Sequence, residues 1–193
     1  MSRCWGIVLP FAAALALTLP ELAPADERKH FETDLSGFQE VHGPNLGIGA
    51  IFSTGGGRLT LRLDEGAREI RYELSYEFPD AAPISGVQFV NQAHLHFGQK
   101  HTTGGITVWL CQSVDAAGPA GTPICPSPSG TVNGIIRPAN VVALAGQGLP
   151  AGDAGFDALV EALRTGAIYG NVHTDRFPPG EIRGQLGDHR HGD

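Results

Sequence analysis

From about residue 30 onward, apolar and polar side chains alternate with a period of two, the pattern of strands with one face buried. Residues 58–64 place Leu59, Leu61 and Leu63 on one face and Arg58, Thr60 and Arg62 on the other. Residues 69–78 repeat it, with Ile70, Tyr72, Leu74, Tyr76 and Phe78 against Arg71, Glu73, Ser75 and Glu77. The same reading predicts strands over 31–41, 47–53, 87–97, 106–111, 131–136, 167–174 and 181–186. Gly and Pro clusters at 55–57, 79–83, 126–130 and 176–180 supply the turns between runs. One segment has a helical period instead. Over 156–166, Phe156, Leu159, Val160 and Leu163 form a single stripe and Gly166 provides the stop. Many short strands and one short helix predict an all-β domain, an antiparallel Greek-key β-sandwich.

The first 25 residues stand apart from this pattern. Arg3 gives a positive start, residues 7–19 are apolar, and Ala23-Pro24-Ala25 closes the segment before the charged Asp26, Glu27, Arg28 and Lys29. That is the layout of a secretory signal peptide, cleaved after Ala25. The apolar run is shorter than the roughly 20 residues of a membrane span, and Pro10 interrupts it. The organisation expected is therefore a signal peptide over 1–25, a tail over 26–30, one domain over 31–187 and a second tail over 188–193. The destination expected is secreted or periplasmic, with no membrane span.

Composition narrows the function. Of 193 residues, 13 are Lys or Arg and 20 are Asp or Glu, a net charge of −7. No basic block is present, which argues against nucleic acid as a partner. Cys4 falls in the signal segment, so the exported chain keeps Cys111 and Cys125. Two thiols flanking a Gly/Pro-rich loop in an exported protein are expected to form a disulfide.

No nucleophile elbow, phosphate-binding loop, dinucleotide fingerprint or zinc-protease helix occurs. Histidine placement is the candidate chemistry. In the run 87–97, Phe89, Ala93, Leu95 and Phe97 share one face, so His94 and His96 project together from the other. In the run 167–174, Ile168, Gly170 and Val172 point one way and Tyr169, Asn171 and His173 the opposite way. The expected site is a polar sheet face on which His94, His96 and His173 share one metal, with His101 as a further candidate ligand. Neutral imidazoles suit Cu(II), Zn(II) or Ni(II), and copper ranks first in intrinsic affinity, ahead of zinc. A backbone carbonyl, Asn171 or Asp175 is expected to orient the His173 ring. The alternatives are a cell-surface or matrix module that binds a protein or glycan without metal, and a redox enzyme.

The segments AHLHFGQKHTTGGITVWLC at 93–111 and GAIYGNVHTDRFPPGEIRGQL at 166–186, with the opening strand over 35–41, resemble the CHRD domain. That domain is named for its repeats in chordin and also occurs singly in bacterial secreted proteins. The resemblance covers about residues 31–187 and implies an immunoglobulin-like or superoxide-dismutase-like β-sandwich. HLHFG is also similar to the strand that supplies two copper ligands in copper–zinc superoxide dismutases. The chain departs from the dismutase pattern in lacking a His-rich zinc loop between 97 and 130.

Overall fold

The computed structural model describes Met1 and residues 29–42, 49–80 and 89–187. The signal segment and the 188–193 tail lie outside the described residues. Among those described, the alternating runs become eight strands: β1 (His30–Ser36), β2 (Gly56–Asp64), β3 (Glu69–Glu77), β4 (Val90–Phe97), β5 (Gly105–Gln112), β6 (Gly130–Ile136), β7 (Ile168–Thr174) and β8 (Ile182–Leu186). They join one antiparallel sheet in the order β5-β4-β7-β8-β1-β2-β3-β6. The sheet curls until its two halves face each other, nearly closing a barrel. Tyr72 on β3 donates its hydroxyl to the Leu110 carbonyl on β5 at 2.7 Å. Leu59 on β2 reaches over Gly170 on β7, where an added Cβ would stand 2.5 Å from its Cδ2. The all-β fold, with a single α-helix among the described residues, is thus the one the alternation predicts, and the two layers of the sandwich are halves of one sheet.

The helix α1 (Gly152–Arg164) buries Phe156, Leu159, Val160 and Leu163, the stripe expected from their spacing. It begins four residues earlier than the stripe, at a residue whose predecessor, Ala151, offers no side-chain cap. Gly166 follows its end at φ +72°, a backbone conformation open to glycine at little cost. Cys111 and Cys125 are bonded, tying β5 to the segment before β6, and both are buried.

Two expectations are corrected. The described part of the 47–53 run is not a strand. It bridges His42 through Gly49 and donates Ile51 N–H to the Gly37 carbonyl, forming a strap rather than a ladder. Nor is the histidine face exposed. Every residue of β7 and β8 is buried on both faces, because irregular segments lie across the outside of the sheet. Arg183 on β8 donates to the Thr102 and Gln99 carbonyls at 2.8 and 3.2 Å. His42 donates to the Gly180 carbonyl at 2.9 Å. Ser53 and Thr174 both donate to the Glu181 carboxylate. These bonds fix the cover in place.

Candidate metal centre

β4 is the strand from which the centre is built, because it pairs with β5 on one side and β7 on the other. Its register sets His94 opposite Asn171 and His96 opposite Tyr169 on β7, and His94 opposite Trp109 on β5. Residues directly opposite in an antiparallel pair share a face. His173 enters the same space from β7, two residues beyond Asn171. The ligating atoms of His94, His96 and His173 all lie within 4.8 Å of one another. The sequence-predicted triad is therefore one cluster, with exposures of 0%, 7% and 6%. It is buried rather than displayed.

His101 does not join it. The residue sits at the outer corner of the turn closed by Thr102 N–H on the Gln99 carbonyl, at φ +66°, and it is exposed. It lines a cavity of about 390 Å³ with Glu40 and Arg183 instead. Asp175 does not orient His173 either, since both its carboxylate oxygens are buried without a hydrogen-bond partner.

The proton positions follow from the carbonyls around the rings. A carbonyl oxygen only accepts, so His96 donates Nδ1–H to Gly104 at 2.9 Å and His173 donates Nδ1–H to Pro178 at 2.8 Å. Each neutral ring then presents its Nε2 lone pair to the cluster interior. His96 Nε2 has no hydrogen-bond partner, nor has His94 Nε2. His173 Nε2 lies 3.2 Å from His94 Nδ1 and 3.0 Å from Asn171 Oδ1. Nitrogens bound at about 2.0–2.1 Å to a common ion stand roughly 3 Å apart, so the His94–His173 hydrogen-bond spacing of 3.2 Å is also one that two ligands of a metal could keep. Two lone pairs, on His96 Nε2 and His173 Nε2, thus face the space that His94 Nδ1 also borders.

Burial also fixes the charge state. Desolvation lowers His96 and His173 to about 4 and depresses His94 further, with neighbouring rings adding to the effect on His94. All three rings are neutral near neutral pH, as ligation requires. The walls are aromatic. His94 meets Trp109 edge to face at 4.3 Å between ring centroids, and His96 stacks on Tyr169 at 4.7 Å with an interplanar angle of 2°. The Arg183 guanidinium lies 3.4 Å from the centroid of the same Tyr169 ring. Glu40, whose carboxyl is pushed up by burial, comes within reach of Asn171 and Arg183.

The family model of the CHRD domain matches residues 31–186, most of the chain. The chain belongs to the CHRD domain family. The match runs from the second residue of β1 to the end of β8, so all eight strands and all three histidines fall within the CHRD domain. No curated protein and no solved structure matches the chain. No helix among the described residues is long and apolar enough to cross a membrane.

Sequence alternation alone finds the three rings. It misses Gly104 and Pro178, whose carbonyls set the tautomers, and it misses Glu40, Trp109 and Arg183, which no local spacing links to a histidine.

Proposed function

We propose that this CHRD-domain protein is exported and holds one transition-metal ion through His94, His96 and His173, as a storage or delivery protein rather than an enzyme. The observation that carries the reading is the convergence of three imidazole nitrogens in a buried space, two of them left unprotonated because backbone carbonyls hold the ring proton on the other nitrogen. His96 Nε2 is buried without a partner, which costs on the order of 1–3 kcal/mol, and a bound cation would remove that cost. Three imidazoles without a thiolate favour copper over zinc by the intrinsic affinity order. Rings exposed by 7% or less suit retention of an ion better than turnover of a dissolved substrate. The segment before residue 26, with its apolar run and Ala23-Pro24-Ala25 ending, supports export, and the Cys111–Cys125 disulfide suits an oxidising compartment.

The test is the metal content and intact mass of the protein recovered from the exported fraction without an affinity tag. One copper per chain and a mass beginning at Asp26 are expected. A metal-free protein that also takes up no added copper, or a mass beginning at Met1, contradicts the respective half of the proposal.

A second reading, an interaction module for a protein or glycan, is favoured by one surface feature. Phe38 and Phe52 are 68% and 79% exposed and meet edge to face at 6.3 Å. Exposed aromatic pairs of this kind mark contact surfaces. Loss of partner capture on replacing both by Ser, with metal content unchanged, would place that activity apart from the histidines.

A further inference from the structure

We infer that Asn171 Oδ1 is the fourth ligand of the same ion and that it closes the coordination shell against water. The inference rests on the metal-binding reading above and goes beyond it, because a closed four-ligand shell belongs to a holding site, whereas a catalytic one keeps a position open.

Asn171 occupies the position across from His94 in the β4–β7 register and is 3% exposed. Its Oδ1 stands 3.0 Å from His173 Nε2, and its side chain also reaches His96. His173 Nε2 carries no proton, since its Nδ1–H is committed to the Pro178 carbonyl. The contact is therefore between two acceptors, a lone pair on nitrogen against a lone pair on oxygen, among side chains that are 3–7% exposed. A cation between them turns that repulsion into two bonds.

The amide nitrogen lies on the other side, beside the Glu40 carboxyl. Asn171 Nδ2 faces the Glu40 carboxyl, and the two pack against the backbone of Gly180. A Cβ at Gly180 would fall 2.5 Å from Glu40 Oε2 and 2.8 Å from Asn171 Nδ2, and Gly180 has φ +134°. Glycine at 180 thus leaves room for the Glu40 carboxyl and the amide nitrogen on one side while the amide oxygen lies toward His173.

The resulting donor set is three imidazole nitrogens and one neutral carbonyl oxygen. With Trp109 and Tyr169 forming the walls, it leaves no place for a coordinated water.

The experiment loads the full chain, with His189 and His191 replaced by Ala, with one equivalent of Cu(II). It then records proton electron-nuclear double resonance in H2O and D2O. For the otherwise unchanged protein no exchangeable proton is expected at the distance of a coordinated water. In Asn171→Ala one is expected to appear, with copper affinity lower by about 10- to 100-fold. Asn171→Asp, which keeps an oxygen at the position, is expected to exclude water and retain affinity. Should Asn171→Ala not fold, the unsubstituted and Asn171→Asp spectra still decide. A coordinated water in the unsubstituted protein, or an Asn171→Ala spectrum identical to it, overturns the fourth ligand while leaving the three histidines standing. If no Cu(II) binds at all, both readings fall.

Discussion

His94 Nδ1 lies 3.2 Å from His173 Nε2, although the two residues are 79 positions apart in the chain. The contact joins neighbouring strands β4 and β7 and exists because the covered sheet leaves these rings no solvent to face. Without a metal the pair shares one proton, which His94 Nδ1 donates. If the proposed ion binds, His94 would have to carry its proton on Nε2, with no change in charge, for Nδ1 and His173 Nε2 both to be ligands.

The burial of these rings makes the metal-free fold acid-sensitive. An unfolded imidazole takes up its proton near 6.5, whereas burial holds His96 and His173 at about 4. Between those values the unfolded chain binds more protons, so stability rises with pH across the window. It is fully present above about 6.5 and is lost as pH falls toward 4, by about 3 kcal/mol for each ring. Glu40, with its carboxyl raised by burial, works in the opposite sense and offsets part of this. Denaturant midpoints of metal-free protein at pH 7, 5.5 and 4.5 check it, and a midpoint unchanged over that range contradicts it. The same shifts move the acid limit of metal binding from the ordinary imidazole range down toward 4.

Gly104 is expected to control the centre without touching the ion. Its carbonyl accepts the His96 Nδ1–H and its own N–H donates to the Tyr169 hydroxyl at 3.2 Å. A Cβ there would meet the Phe97 carbonyl oxygen at 1.9 Å, a backbone atom that cannot give way. Gly104→Ala should destabilise the fold by about 1–3 kcal/mol and lower metal affinity by about 10- to 100-fold. Unfolding curves and metal titration measure the two effects, and wild-type values in both would remove Gly104 from the account.

How far the sequence goes differs from element to element. β2 and β3 are legible because one of their faces is solvated, so Leu59 to Leu63 and Ile70 to Tyr76 alternate cleanly with polar and charged residues. β4 and β7 are legible as strands, and the two-residue spacing of His94 and His96 correctly places both rings on one face. Their environment is not legible, because polar residues on a strand read as solvated unless the covering segments are known. Those segments, around residues 37–42, 49–53, 98–104 and 175–181, are irregular and have no period of their own. The adjacency of β4 and β7 is a matter of topology, not of local pattern. His101 illustrates the limit. Three residues from Gly98 in sequence and close to His96, it is turned outward by a left-handed backbone that its identity does not announce.

The disulfide should carry a measurable share of stability. It closes a loop with a sequence separation of 14, for which chain entropy gives about 3 kcal/mol. Replacing both Cys111 and Cys125 by Ala is expected to lower the unfolding free energy by that amount. Alkylation of the unreduced, unfolded protein should label neither residue. Labelling of both, or an unchanged unfolding free energy, would show that the bond is not formed or contributes nothing.

The most direct test of the metal centre is a calorimetric Cu(II) titration of the protein, of a form truncated after residue 187, and of His94→Ala, His96→Ala and His173→Ala. One ion per chain should bind in both the intact and truncated forms, far more tightly than millimolar, and each histidine replacement should weaken it by about 100-fold or more. An intact protein that binds no better than about millimolar, or binding that vanishes when the tail alone is removed, would contradict the buried His94–His96–His173 site.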